Sequence, residues 1–201
     1  MSRGPYVQTL TGRCWYFTRP LPEDVAFDDL RALTRVTRYG GHTDSHCELY
    51  SVAEHSVRVA RFVADAGPRV QLAALLHDGG EAYPPADLSG PMVRHLERLE
   101  AERRKVDPEF EDETLRIRRL AEVAVWERFG VLEVFRDPEA AALIHRADRT
   151  LLATERRDLV AASAVVWGAL PDPLPEVIEP WSSARAGAEF CRMFKSLGGQ
   201  P

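Results

Sequence analysis

Four residues of this 201-residue chain have the side-chain types and the surroundings to hold a divalent cation. His55 lies between Val52 and Val59 in a stretch of helical periodicity, and the adjacent pair His77-Asp78 closes the nearly uncharged run VQLAALL. Asp148 sits in AALIHRADRTLL, between Ile144 and Leu151-Leu152. Burying a carboxylate or an imidazole among such neighbours is costly unless the group is paired or bound to a metal. Two imidazoles and two carboxylates form a mixed nitrogen and oxygen set suited to a first-row divalent ion. In an octahedral shell they leave two positions, for water and for a substrate oxygen. No HExxH, CxxC or calcium-loop pattern occurs in the chain, so other common metal spacings are excluded. Glu81 follows Asp78 by three residues and shares a side of the chain with it if the helical turn continues.

The stretches YSVAEHSVRVA, LAALLHDGGEAY and HRADRTLLATE carry these residues in the order H…HD…D, and over about residues 25–160 the sequence resembles the HD-domain phosphohydrolase superfamily. Within it the chain looks most like small bacterial 5′-deoxynucleotidases and phage deoxynucleoside triphosphohydrolases. The resemblance implies a metal-dependent phosphohydrolase with an all-α, HD-domain helical bundle led by a short N-terminal β-hairpin. It implies His55, His77, Asp78 and Asp148 as ligands of a divalent metal ion, with Mn, Co, Mg, Zn and Fe all admissible. It implies that Glu81 positions or activates the attacking water, and that a downstream Asp protonates the leaving group. Asp87 is the candidate for that second role. It stands nine residues after Asp78, one more than the nucleotidase spacing, and its competing reading is a helix N-cap before LSGPMVRHL. Arg38, in TRVTRYGG, matches an arginine that contacts substrate phosphate in the resembling nucleotidases. A guanidinium offers phosphate a bidentate fork and keeps its charge near neutrality; the competing reading is a surface Arg beside Arg35. Tyr39, where relatives often carry Trp, packs either against base or sugar or into the core, and both readings stand open.

These residues need a scaffold, and the sequence suggests one of helices. Apolar residues flanking Thr11-Gly12 predict a hairpin within residues 1–22, and Asp28-Asp29 opens a short helix carrying Leu30, Leu33 and Val36. Gly40-Gly41 begins a polar loop, GGHTDSHCE. Helices are expected over 52–63, 70–76, 92–105, 112–130, 138–157 and about 182–197, with no strand pattern after residue 50. The expected organisation is one domain over 1–201, with the HD core in 25–160 and a C-terminal helix within 171–201.

Composition bounds the remaining choices. The chain has 26 Lys and Arg against 31 Asp and Glu, a net charge of −5, and 45% hydrophobic residues, which is the composition of a folded globule. The acidic total argues against long nucleic acid as a partner. No apolar run reaches the length of a membrane helix, and the N-terminus lacks the apolar core of a secretory signal. Three scattered cysteines argue against a disulfide framework, so a cytoplasmic protein is expected. His42, His46 and Cys47 lack a suitably spaced partner for a zinc site. His145, three residues before Asp148, faces either the site, as a donor behind the ligands, or solvent. The expected partner is a small nucleotide. A homo-oligomer is compatible with the chain, but no interface is specified. The leading functional expectation is a 5′-(deoxy)nucleoside monophosphate phosphatase. A triphosphohydrolase would need further cations, for which Arg94, Arg146 and Arg149 are candidates. A non-catalytic nucleotide sensor on the same fold is the alternative of another class.

Overall fold

The computed structural model describes residues 3–44, 46–86, 88–165 and 167–200. Two short antiparallel strands, β1 (Tyr6–Gln8) and β2 (Cys14–Tyr16), pair Tyr6 with Tyr16, Val7 with Trp15 and Gln8 with Cys14. The turn between them is pinned to the body because Asp29 accepts hydrogen bonds from the Thr11 amide and hydroxyl at 2.8 and 3.1 Å. Trp15 is the hairpin's one fully buried side chain, stacked on Tyr83 at 3.8 Å between ring centroids. The segment Phe27–Thr34 is helical as expected but takes the tighter 3₁₀ form. Val36 lies beyond it, in a bend leading into a pairing with the chain just before and at the start of the first α-helix: Val52 N donates to Val36 O at 3.0 Å, and Arg38 N to Tyr50 O at 2.9 Å. This isolated bridge, centred on Thr37 and Ser51, has no signal in the sequence pattern.

Seven α-helices follow among the described residues: α1 (Val52–Phe62), α2 (Pro68–Leu75), α3 (Gly90–Arg104), α4 (Glu113–Arg128), α5 (Leu132–Arg136), α6 (Pro138–Leu159) and α7 (Ser183–Ser196). Helix α1 is the centre. Ser51 caps it by accepting from the Glu54 amide, and residues 52–57 with Val59 and Ala60 are all buried. A helix buried on every side must have neighbours all round, and α2, α6, α7 and the 3₁₀ segment Phe27–Thr34 supply them. Even its acid is used structurally: Glu54 pairs with Arg58 at 2.7 Å and accepts from the Trp181 amide at 2.8 Å, fastening the C-terminal segment to the core. Helix α7 contributes Ala186, Phe190 and Phe194, the last stacked on Phe27. Helix α3 is the most exposed, burying only Glu100. Helix α5, five residues long, is too short for its periodicity to stand out in the sequence. No helix among the described residues is long and apolar enough to cross a membrane.

After α2 the chain turns through His77-Asp78 into a 3₁₀ turn, Gly79–Ala82, that lies against α4. The approach is close at Gly80, where an added Cβ would stand 2.8 Å from the Glu122 backbone nitrogen. Gly80→Ala therefore has no flexible atom to displace, and overpacking of this kind costs about 1–3 kcal/mol. At Gly187 the nearest atom is a Thr34 methyl at 3.2 Å, which can shift. Denaturant titration should show Gly80→Ala clearly less stable than both wild type and Gly187→Ala.

Candidate metal centre

The three segments that carry the H…HD…D residues are brought together by helix packing. His55 sits on α1, His77 and Asp78 follow α2, and Asp148 lies midway along α6. The ligand-type atoms of His55, His77 and Asp78 fall within 4.8 Å of one another, the one such His/Cys/Asp/Glu group among the described residues. The two Nε2 atoms face each other at 3.3 Å. Asp78 Oδ2 lies 3.1 Å from His77 Nε2 and 3.7 Å from His55 Nε2. Asp148 joins through His55, its Oδ1 3.1 Å from Nε2, and remains 31% exposed where His55 is fully enclosed.

Partners on the far side of each ring decide what these nitrogens can do. His77 Nδ1–H donates to the Ala74 carbonyl at 2.8 Å, the oxygen one turn back on α2. His55 Nδ1–H donates to Glu155 Oε1 at 2.6 Å. With Nδ1 protonated in both, each neutral ring presents an Nε2 lone pair to the other and to two carboxylates. Four electron-rich atoms thus converge with no donor of their own between them. That donor set fits a divalent ion of the harder first-row kind. Without the ion, protons must take its place, and the shifts follow. Burial pulls His77 down, but Asp78 outweighs it and raises the pKa from 6.5 to about 9. His55 is raised as well: burial and Arg38 oppose protonation, while Glu155 and the hydrogen bonds to Asp148 and Glu155 favour it. Burial works against ionised Asp78 and Asp148, yet the imidazoles hold Asp78 well below its ordinary value and Asp148 at about 2.

Glu155, which the sequence reading assigned no role, is the hub behind the cluster. It is fully buried on α6 and accepts from four side chains. Besides His55, these are Tyr50 OH at 2.9 Å, Arg38 Nη2 at 3.4 Å and the Tyr39 hydroxyl in a short hydrogen bond. Burial pushes its carboxyl up; Arg38, His55 and Tyr39 outweigh it and hold it at about 2. Its signal in the sequence is an acid seven residues after Asp148, two turns along the face that buries Ala147 and Leu151.

The remaining candidates divide. Arg38 is no surface residue: it is nearly enclosed, with Nη1 3.6 Å from Asp78 Oδ2 and Nη2 reaching Glu155. Tyr39 has left-handed backbone (φ 59°, ψ 19°), unusual for a side chain of this size, and its hydroxyl is committed to Glu155. Glu81 is buried on the turn after Asp78 but is not among the converging ligand atoms. Asp87 lies outside the described residues. His145 and His42 are exposed, and His46 binds Asp44 and the Asp158 carbonyl through its two ring nitrogens.

Residues 52–152, half of the chain, match the family model described as HD domain. That stretch contains His55, His77, Asp78 and Asp148, and ends before Glu155. The uncharacterized protein YfdR of Escherichia coli strain K12 is 28% identical over 196 residues, 96% of this chain and 95% of its own length. An uncharacterized protein of Rhodobacter capsulatus is 40% identical over 88 residues, 41% of this chain and 44% of its own.

Two outcomes are expected of this geometry. Replacing Glu155 by Gln removes the charge that orients His55, and such changes behind a ligand weaken metal binding about 10- to 100-fold; titration calorimetry with Mn²⁺ measures it. In chelator-treated protein, His77 is raised from 6.5 to about 9, so its contribution is complete below pH 6.5 and lost as the pH rises through 9. Thermal unfolding in chelator should therefore fall across that window, and His77→Ala should flatten the fall.

Proposed function

The chain belongs to the HD-domain family, a family of metal-dependent hydrolases, and on that premise we propose that it cleaves the phosphoester of a small nucleotide, a 5′-(deoxy)nucleoside monophosphate. The observation that supports this most directly is the meeting of two bare imidazole nitrogens and a buried carboxylate with a guanidinium 3.6 Å from that same carboxylate. A cation-binding group beside a fixed positive charge is what a phosphoryl group with its attacking water requires.

When bound, the ion supplies the positive charge that phosphoester cleavage needs at the phosphoryl group and its water. His55 and His77 would hold it through Nε2, and Asp78 and Asp148 through carboxylate oxygens. Asp148, partly exposed where His55 is enclosed, marks the side from which substrate enters. Arg38 binds a phosphoryl oxygen. Burial opposes its charge, but Glu155, Tyr39, Asp78 and Asp148 raise its pKa further, so it stays cationic throughout the working range. Glu81, rigidly held after Asp78 by the tight turn against α4, orients the attacking water. Asp87 keeps the proton-donor role that the resemblance implies. Among the arginines that a triphosphate would need, Arg94 and Arg146 are exposed, and Arg149 is spent on the Ala169 carbonyl. This favours a single phosphoryl group.

The test is phosphate release from a panel of nucleoside and deoxynucleoside phosphates with Mn²⁺, Co²⁺ or Mg²⁺. Orthophosphate from monophosphates is expected, abolished in His77→Ala and Asp78→Ala. Glu81→Gln should lose about a hundredfold or more in kcat with metal content unchanged. Tripolyphosphate from triphosphates would transfer the reading to a triphosphohydrolase. Binding without turnover in metal-loaded protein would transfer it to a sensor.

A further inference from the structure

A cavity of about 590 Å³ opens between the C-terminal half of α6, Asp44 and His46, and the strap formed by residues 160–165 and 167–173, and no residue of the metal cluster lines it. Its volume is that of a small-molecule site. Trp167 lines it, and the Trp167 ring also meets the Tyr39 ring at 5.9 Å between centroids. Tyr39 in turn lies 5.7 Å from the Arg38 guanidinium, measured to its ring centre, and Arg38 touches the cluster through Asp78. Three side-chain contacts therefore lead from the phosphate end of the proposed site to the cavity. Tyr39 cannot offer its hydroxyl to a substrate, because Glu155 holds it.

The strap is fastened so that the indole is preset. Arg149 donates to the Ala169 carbonyl and Arg156 to the Val165 carbonyl, while the Leu174 amide donates to Thr154 Oγ1. Arg156 also lies over the Trp167 ring at 5.3 Å. The chemistry of the walls suits a flat, uncharged ring better than a second phosphate. Val160 and Leu170 are apolar, Asp44 and Asp158 disfavour an anion, His46 is taken up by Asp44 at 3.0 Å, Arg156 donates to the Val165 carbonyl, and Arg157 is committed to both Asp158 oxygens at 2.6 and 2.8 Å.

We propose that Trp167 is the stacking surface for the nucleobase of the substrate, which occupies this cavity while its phosphate lies at the metal centre. The proposal rests on the phosphohydrolase reading for the phosphate end only. Base–aromatic stacking tolerates different bases, so it confers affinity for nucleotides over base-free phosphoesters, with weak choice among bases.

Two variants and two readouts test it. In chelator, titrating a deoxynucleoside monophosphate into wild type should quench indole fluorescence, and Trp167→Phe should bind equally by equilibrium dialysis while losing most of the quench, although the other three tryptophans remain. With metal, Trp167→Ala should raise KM for nucleoside monophosphates about tenfold to a hundredfold. Its kcat, and its KM for deoxyribose 5-phosphate, which has the sugar and phosphate but no ring to stack, should stay unchanged, and Trp167→Phe should restore the nucleotide KM. Equal KM changes for both substrates, or none, would overturn the proposal while leaving phosphohydrolysis intact. If no phosphoester is cleaved at all, the phosphohydrolase reading fails and the quench decides alone: its presence supports the stacking site, its absence ends it.

Discussion

One buried carboxylate organises this molecule. Glu155 is fully enclosed, and an ion so placed is tolerable only if every lone pair is met and an opposite charge lies close. The fold meets that demand by drawing three separate segments onto it. The bridge at Thr37 and Ser51 delivers Arg38, Tyr39 and Tyr50, and α1 delivers His55. The same contacts that satisfy Glu155 fix the His55 ring, so the condition for burying the charge and the condition for aiming Nε2 at the cluster coincide. The left-handed Tyr39 is intelligible in these terms. A conformation costing about 1–2 kcal/mol persists because it brings a hydroxyl to an acceptor that burial makes demanding.

The consequence reaches the fold's centre. Helix α1 carries two adjacent polar residues buried in opposite service. Glu54 binds Arg58 and the Trp181 amide on the side facing the C-terminal segment, and His55 binds Glu155 on the side facing α6. A helix of apolar residues alone would pack as well, but it would not define which neighbour sits on which face. Here each buried polar pair admits one partner, and the apolar residues between them fill the space.

The sequence displays this unevenly, for physical reasons. Long helices with apolar periodicity were legible: the span expected over 52–63 is α1, 138–157 is α6 and 182–197 is α7, each within about two residues. The segment at 27–34 was legible as helical but not as 3₁₀, because composition does not distinguish an i+3 from an i+4 hydrogen bond over so few residues. His55, His77, Asp78 and Asp148 stood out because ionisable groups among apolar neighbours are anomalous, and the structure draws all four together. Glu155 escaped notice although it obeys the same rule, because TERRD around it reads as a solvated run of charge. Only the helical period from Asp148 separates it from its neighbours. Trp167 could not have been placed at all, since nothing local says that an irregular strap lies beside Tyr39.

The net charge of −5 takes on a different meaning at the scale of the cluster. Asp78, Asp148 and Glu155 contribute three negative charges there, and Arg38 returns one. Glu122, raised by burial despite Arg118 beside it, adds nothing once that pair is counted together. Two negative charges remain, and two kinds of counter-charge can balance them: a proton on each imidazole, or one divalent ion on both. The upward shifts of His55 and His77 express the first solution, and the facing Nε2 lone pairs provide for the second. The two exclude each other, because a protonated Nε2 has no lone pair to give. Metal binding and proton release at these two nitrogens are thereby linked. A divalent ion bound there would cancel the charges of Asp78, Asp148, Glu155 and Arg38 taken together, the local balance that the proposed anionic substrate needs in a protein of net charge −5.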